Sequence, residues 1–181
     1  LNKDTFARVA CETFATTNTV VVGGDVGFQS DSDSHSLASE IKPLVVNVVK
    51  EIGYEQEGFH WNNLNVSNFI HQQSSDISQG VDKDGAGDQG IMFGYAVNET
   101  EDLMPAPIQY SHLILKSLAH ARHNNMATSL GPDSKSQLTV KYENGRPVSV
   151  ESIVLSTQHL DPSLSSQDVK EIVEPYILEV I

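Results

Sequence analysis

The sequence predicts an α+β protein of two-layer strand–helix–strand units with mixed or antiparallel sheets. Three observations predict this class. Apolar and polar residues alternate near the amino end, apolar residues recur at helical spacing over residues 37–52, and an Asn144-Gly145 turn separates two β-rich runs. Because strand pairs are interleaved with helices, this class is favoured over a doubly wound parallel sheet.

The first part of the chain contains a strand pair followed by a helix. Residues 6–26 are predicted to form two strands joined by a polar turn at residues 16–18. Residues 29–35 are predicted to form a surface loop. The first helix is expected to start near Ser39 or Glu40, which places Pro43 in the first turn, and to stop at Gly53.

Four further elements are predicted. They are a strand over residues 63–72, a helix introduced by Pro105 and Pro107, a hairpin over residues 137–156 and a last helix capped near Ser165. The polar segment 74–87 is predicted to be a mobile, gating-type loop. We expect a first α/β unit over 1–125 and a second over 126–181. The second unit is expected to be incomplete, because no strand follows its helix.

The charge balance limits the possible partners. The 181 residues carry a formal net charge of -13, with 11 Lys and Arg against 24 Asp and Glu. Such a chain is unsuited to nucleic acid or to an anionic membrane surface, and a polyphosphate would need metal ions or cations from a partner. Cys11 is the single cysteine, so no internal disulfide can form. Without an apolar run of membrane length or a signal peptide, the expected location is the cytoplasm.

A glycine-rich loop is the most informative segment. Residues 85–90 read Gly-Ala-Gly-Asp-Gln-Gly and lead into the apolar run 91–96. Closely spaced glycines allow the backbone to approach a ligand, and successive N–H groups can form an anion-binding nest. Asp88 is therefore a candidate site residue. An Asp that caps its own turn is the alternative.

Further motifs occur in a fixed order around this loop. They are Ala10-Cys11-Glu12-Thr13, Val21-Val22-Gly23-Gly24-Asp25, Gln73-Ser74-Ser75-Asp76-Ile77-Ser78-Gln79-Gly80-Val81, Pro132-Asp133-Ser134-Lys135-Ser136-Gln137 and Val154-Leu155-Ser156-Thr157-Gln158-His159. Together with the glycine loop, they resemble the S-adenosylmethionine synthetase (methionine adenosyltransferase) family. The resemblance implies the family's fold and transfer of the adenosyl group of ATP to L-methionine, with release of phosphate and diphosphate. Mg²⁺ and K⁺ assist that reaction.

The resemblance also implies roles for individual residues. Glu12 corresponds to the potassium-site carboxylate, and Asp25, Gln73 and Asp88 correspond to substrate-binding positions. Asp25 stands where the family has a Glu, so its carboxylate is one methylene shorter and could leave an ammonium group unreached. The alternatives are a solvated or ion-paired strand carboxylate for Glu12 and an ordinary polar loop residue for Gln73.

Asp133, Ser134 and Lys135 correspond to the ATP-binding stretch, where a Lys supplies a point charge for phosphate. The alternatives are an ordinary turn residue for Asp133 and a solvated strand end for Lys135. The scattered histidines do not show the spacing of metal ligands.

The resemblance covers only the amino-terminal and central parts of the family pattern. The family's opening His-Pro-Asp-Lys segment has no counterpart here, and its third domain is expected to be absent, so the magnesium ligands are expected to lie outside this chain. The chain is then a fragment of a full enzyme, a truncated non-catalytic relative, or a module with one ligand site. Because the family builds its sites between subunits, a homodimer or a hetero-oligomer with a longer synthetase subunit is implied.

Overall fold

The chain folds into two compact units, Leu1–Met92 and Phe93–Ile181. The computed structural model describes residues 4–28, 31–81, 85–86 and 89–181, and the side chains of residues 31–38 are not described. The predicted α+β class is confirmed, since each unit packs helices against a small sheet.

The first unit is built on a mixed sheet of order β1-β2-β5. Strand β1 (Arg8–Thr16) is antiparallel to β2 (Thr19–Gly27), and β2 is parallel to β5 (Asn65–Gln72). The turn between β1 and β2 contains Asn18 at φ 47°, a left-handed conformation that Asn adopts readily. The predicted strand pair and the later strand are confirmed.

Helix α1 (Asp31–Ile52) makes the crossover that a parallel pair of strands requires. Its residues Ile41 and Val49 are buried against Val20 and Val22 of β2. The helix starts earlier than predicted, so Pro43 lies inside it and not in its first turn. The predicted loop over residues 29–35 is therefore wrong for residues 31–35, because Asp and Ser are also favoured at the beginning of a helix; residues 29 and 30 lie outside the described part.

A short hairpin of β3 (Glu55–Gln56) and β4 (Phe59–His60) connects α1 to β5. The Tyr54 and Phe59 rings meet edge to face at 4.9 Å, and Lys50 Nζ lies 4.5 Å from the centre of the Trp61 ring. These contacts pack the hairpin region against the end of α1. No sequence pattern predicted them.

The predicted loop 74–87 begins as a helix, α2 (Ser75–Val81). Ser74 starts it by accepting a hydrogen bond from Ile77 N at 3.3 Å, as expected of a Ser just before a helix. Residues 82–84 and 87–88 of the predicted loop lie outside the described part.

The second unit pairs a hairpin with two helices. Helix α3 (Ala106–His123) precedes strands β6 (Leu130–Glu143) and β7 (Arg146–His159), and α4 (Ser166–Leu178) follows them. The hairpin turns at Asn144 and Gly145, both at positive φ as the sequence pattern predicted. The buried core is formed by Ile114, Leu118, Ala121, Ala127, Leu130, Leu138 and Val173.

Helix α4 begins where the sequence predicted. Ser165 accepts a hydrogen bond from Asp168 N at 3.2 Å, and the Asp168 carboxylate accepts one from Ser165 N at 2.8 Å. This capping box satisfies amide groups that have no partner within the helix. The Ser165 hydroxyl also donates to the Asp168 carboxylate at 2.6 Å, and this bond, together with the one from Ser165 N–H, holds the pKa of Asp168 below its usual value.

The structure divides the chain earlier than the boundary predicted at residues 125 and 126. The division falls between Met92 and Phe93. Helix α3 belongs to the second unit because Ile114 and Leu118 are buried with Leu130 and Leu138 of β6. No local pattern indicates this, because the apolar face of an amphipathic helix does not reveal which sheet the helix covers. None of the described helices has the length and apolar character needed to cross a bilayer.

Ile114→Ala is expected to lower the free energy of unfolding by about 2 to 5 kcal/mol, because the change leaves a cavity in a packed core. Ile114 is 0% exposed and lies on the same helix as Ile108, which is 45% exposed. Urea denaturation followed by circular dichroism measures the loss. Ile108→Ala is the matched control and should cost less than half as much. Equal losses for the two variants would contradict the assignment of this core.

Candidate functional site

One face of the first unit's sheet carries three of the predicted site residues. Val20, Val22 and Val26 of β2 point toward the α1 side, so the alternate residues point to the opposite face. On that face Asp25 lies opposite His71, and Glu12 lies in the row that contains Gly23 and Phe69. Gln73 continues the same face beside Gly27. The sheet register thus brings together Glu12, Asp25 and Gln73, which are far apart in sequence.

Asp25 has a partner on the neighbouring strand. Its Oδ1 lies 3.1 Å from Nε2 of His71. Both side chains are accessible to solvent, so this contact is that of a surface pair. The sequence analysis missed His71, because a parallel pairing across a long crossover gives no local signal.

Two glycines shape the strand that carries Asp25. At Gly24 φ is +130°, and a Cβ there would collide with the backbone carbonyl of Ala10. At Gly23 a Cβ would meet only the Cβ of Phe69 at 3.6 Å, an ordinary contact. Gly24 is therefore required by the backbone, whereas Gly23 leaves open space between Glu12 and Phe69.

A polar cavity of about 740 Å³ lies at the end of this face, lined by Phe6, Arg8, Gly27, Phe28, Gln72, Gln73, Ser75 and Ser78. The side-chain oxygen of Gln73 is buried there and has no hydrogen-bond partner among the described residues. Buried acceptors are normally hydrogen-bonded, so Gln73 Oε1 is a polar atom whose donor the described residues do not supply.

Part of the glycine loop falls outside the described residues, including Asp88, so its predicted role stays a prediction. The apolar run that follows the loop has no regular secondary structure. Its large side chains Ile91, Met92, Phe93 and Tyr95 are all exposed.

The predicted ATP-binding stretch lies within strand β6, so the turn alternative for Asp133 is wrong. Asp133 and Lys135 are exposed and share one face, as residues two positions apart in a strand do. Ser134 points to the other face, where its hydroxyl hydrogen-bonds that of Thr157 at 2.7 Å.

Glu99 and Tyr142 form a contact that the sequence did not reveal. The Glu99 carboxylate accepts hydrogen bonds from Ala106 N at 2.9 Å and from the Tyr142 hydroxyl at 2.7 Å. It therefore caps α3, whose N-cap Pro105 has no side-chain hydrogen bond to offer. These two bonds hold the pKa of Glu99 below its ordinary value, and the bond to Glu99 raises the pKa of Tyr142 to about 12.

The described residues contain no group of three or more His, Cys, Asp or Glu side chains placed to hold a metal ion. Glu12 is exposed on β1, and it contributes one carboxylate to the sheet face opposite α1. Mg²⁺ requires near-octahedral oxygen coordination, so the described residues do not fit a complete magnesium site. For K⁺, Glu12 offers one oxygen ligand group and no more.

Gly24→Ala is expected to destabilise the chain by roughly 2 kcal/mol or more, because a side chain at this φ would be strained and would strike backbone. Gly23→Ala is the adjacent control and should cost less than about 1 kcal/mol. Thermal or urea unfolding compares the two variants. Greater tolerance of Ala at position 24 than at 23 would contradict the described β1–β2 register.

Glu99→Gln is expected to lower the pKa of Tyr142 from about 12 toward its ordinary value of 10.0, because the carboxylate that holds the phenol proton is removed. The stability from this bond is present below pH 10 and is lost as pH rises through the folded-state pKa. Titration of the Tyr142 ring by NMR measures the shift. Glu143→Gln is the control, since Glu143 pairs with Lys141. An unchanged titration of Tyr142 in Glu99→Gln would refute the contact.

Comparison with known families matches both units of the chain. Residues 1–75 match the S-adenosylmethionine synthetase N-terminal domain, and residues 83–181 match the central domain. The S-adenosylmethionine synthase of Paracoccus denitrificans (strain Pd 1222) is 58% identical over 181 residues, which is 100% of this chain and 47% of that protein. Synthases of Cereibacter sphaeroides and Jannaschia sp. (strain CCS1) are 58% and 57% identical, over 100% and 98% of this chain and 47% and 46% of their own lengths.

The chain thus spans about half the length of the curated relatives that it matches. The two matched ranges cover the motifs on which the resemblance rests, apart from residues 76–81, and the family resemblance drawn from those motifs is confirmed. The chain belongs to the S-adenosylmethionine synthetase family, of which it contains the N-terminal and central domains.

Proposed function

We propose that the chain is part of an S-adenosylmethionine synthase, acting in the cytoplasm, that forms S-adenosylmethionine from ATP and L-methionine with release of phosphate and diphosphate. The observation that carries this proposal is 58% identity to a synthase across the whole of the chain. The sheet register supports it, because it gathers Glu12, Asp25 and Gln73 from three separate motifs onto one face.

The methionine site is proposed at Asp25, Gln73 and Asp88. Attack of the methionine sulfur on the ribose requires both reactants to be held in one orientation. The side-chain oxygen of Gln73, which has no hydrogen-bond partner among the described residues, is proposed to accept from the ammonium group. Asp25 is held by His71, yet a carboxylate has lone pairs for several donors and can accept a second cation.

The ATP contacts are proposed at Asp133, Ser134 and Lys135. Lys135 is exposed on β6, where its ammonium can neutralise phosphate charge that develops as the leaving group departs. Because the Ser134 hydroxyl is bonded to Thr157, the proposal assigns the side-chain contacts chiefly to Asp133 and Lys135.

Glu12 is proposed as a K⁺ ligand. The chain has a net charge of -13 and therefore few cationic groups of its own. When bound, Mg²⁺ and K⁺ would supply the positive charge that a polyphosphate requires. The described residues do not complete either site, so the remaining ligands are assigned to other residues of the assembly.

A partner subunit is proposed to cover the face that carries Glu12. Phe14 and Phe69 on this face are 64% and 65% exposed, and both lie close to Glu12 in the sheet. Exposed aromatic side chains around a polar group are typical of protein interfaces. The proposed partner is a second copy of the chain or a longer synthetase subunit.

The alternative function is that of a non-catalytic or regulatory relative that binds a full-length synthetase subunit. The observation that favours it is the lack of a metal-ligand cluster among the described residues. Both proposals predict binding to a longer subunit, but only the first predicts that this chain contributes groups to turnover.

The chain alone is expected to form no S-adenosylmethionine. Mixed with a full-length Paracoccus denitrificans synthase whose residue equivalent to Lys135 is changed to Ala, the wild-type chain should restore turnover. Lys135→Ala in the chain should abolish that restoration by removing the phosphate-binding charge. The restored turnover is measured as the amount of S-adenosylmethionine formed from ATP and labelled methionine.

Lys141→Ala is the control variant, because Lys141 lies on the same strand but pairs with Glu143. Restoration by Lys135→Ala equal to that by the wild-type chain would contradict the role of Lys135. A complex that forms without any restored turnover would support the regulatory alternative.

A further inference from the structure

A polar turn over residues 97–104 joins the apolar run to helix α3, and its own hydrogen bonds fix its shape. Val97 N donates to Leu103 O at 3.0 Å. The Thr100 hydroxyl accepts from Met104 N at 3.1 Å and donates to Met104 O at 2.8 Å. Leu103 has φ 58°, a left-handed conformation that a residue other than glycine keeps only where the surrounding structure holds it. Strained backbone of this kind is common near functional sites.

Glu99 joins this turn to both layers of the second unit. Its Oε2 accepts from Ala106 N of α3 at 2.9 Å and from the Tyr142 hydroxyl of β6 at 2.7 Å. Arg146 of β7 donates from Nη1 to the backbone and side-chain oxygens of Asn98, at 3.3 Å and 3.2 Å. One carboxylate oxygen thus links the turn to a helix and to the hairpin, while a cationic side chain holds the residue before it.

Capping of α3 does not account for all of these bonds. A cap needs only an acceptor for the first amide groups of the helix, which the bond from Ala106 N uses. The bonds from Tyr142 and Arg146 run between the turn and the hairpin, so they do not serve the helix end. Hydrogen bonds to a charged acceptor are also stronger than those between neutral groups. This second set of bonds fixes the turn itself.

The apolar run before the turn has few other contacts to hold it. Residues 91–96 form no helix or strand, and Phe93 and Tyr95 are exposed. A Cβ added at Gly94 would meet no atom of the described residues within 4 Å. Burial therefore fixes little of this segment. On its carboxyl-terminal side, the covalent connection to the Glu99 turn sets its position.

We propose that Glu99 is a positioning residue for the synthase reaction: it anchors the apolar run, and through it the carboxyl-terminal end of the glycine loop, to α3 and β6. The inference rests on the proposed function, because it takes the glycine loop as part of the substrate site. Reacting groups must be held in one orientation, and a small displacement of a loop that contacts substrate lowers the rate strongly. Loss of the bond to Tyr142 should therefore slow the reaction even though α3 keeps its cap.

Tyr142→Phe is the decisive variant, because it removes the bond from the hairpin to Glu99 and leaves the bond from Ala106 N in place. The variant chain is mixed with the Paracoccus denitrificans synthase whose residue equivalent to Lys135 is changed to Ala. The kcat of the restored turnover should fall about tenfold, because orientation is lost. The KM values for ATP and methionine should change by less than about twofold, because the groups that bind both substrates are still present.

Three further variants serve as comparisons. Glu99→Ala removes both bonds to the carboxylate and should lower kcat at least as much as Tyr142→Phe. Glu99→Gln keeps an acceptor oxygen for both donors, so kcat should stay within about threefold of the wild-type value. Tyr176→Phe is the matched control, because it removes a hydroxyl bond to Met126 O in the same unit, and it should leave kcat unchanged. Circular dichroism confirms that each variant is folded at the assay temperature.

The outcomes separate this inference from the proposed function. If the wild-type chain restores turnover and Tyr142→Phe restores it with the same kcat, the positioning role of Glu99 is overturned and the proposed function stands. An equal fall in kcat with Tyr176→Phe would also overturn it, because the effect would then be a general loss of stability. Equal losses with Glu99→Ala and Glu99→Gln would overturn it as well. If the wild-type chain restores no turnover, the proposed function falls and the inference falls with it.

Discussion

The alternation of side chains along β2 is the constraint on which the first unit depends. One set of residues, Val20, Val22 and Val26, is buried on the α1 side. Burial of apolar surface there stabilises the strand position by roughly 25 cal/mol per Å². The other set, Gly23, Asp25 and Gly27, must then point the opposite way. The hydrophobic core thus fixes where the polar groups of the site lie.

The same constraint makes the site sensitive to register. A shift of β2 by one residue against its neighbours would turn Asp25 toward the core and a valine toward the site. The core and the site are therefore specified together, because Val26 cannot stay buried unless Asp25 stays outside. Gly24 strengthens this coupling, since its positive φ and its close approach to Ala10 admit one backbone arrangement.

Local patterns predicted most elements of the fold. The Asn144-Gly145 turn, helix α3 and the start of α4 follow from residues that interact with near neighbours in sequence. Helix α2 and the early start of α1 were missed, because Ser and Asp favour both loops and helix beginnings. The division between units was misplaced because it depends on which sheet α3 covers, a long-range property.

The site could be predicted as a set of motifs but not as an arrangement. Motif resemblance selected Glu12, Asp25 and Gln73, whereas only the sheet register shows that they share a face. His71 and Tyr142 carry no signal of their own, since each is defined by a partner more than forty residues away along the chain.

Strand β1 shows that the residues of a candidate site can keep fixed positions without being buried. All nine of its residues are exposed, so apolar burial contributes little to its position. Its order comes from the continuous antiparallel ladder with β2, which pairs Arg8 with Gly27 at one end and Thr16 with Thr19 at the other. Backbone hydrogen bonds fix the spacing of Arg8 and Glu12 whatever their side chains do. The polar groups on β1 can therefore serve a ligand or a partner subunit without any loss of the core.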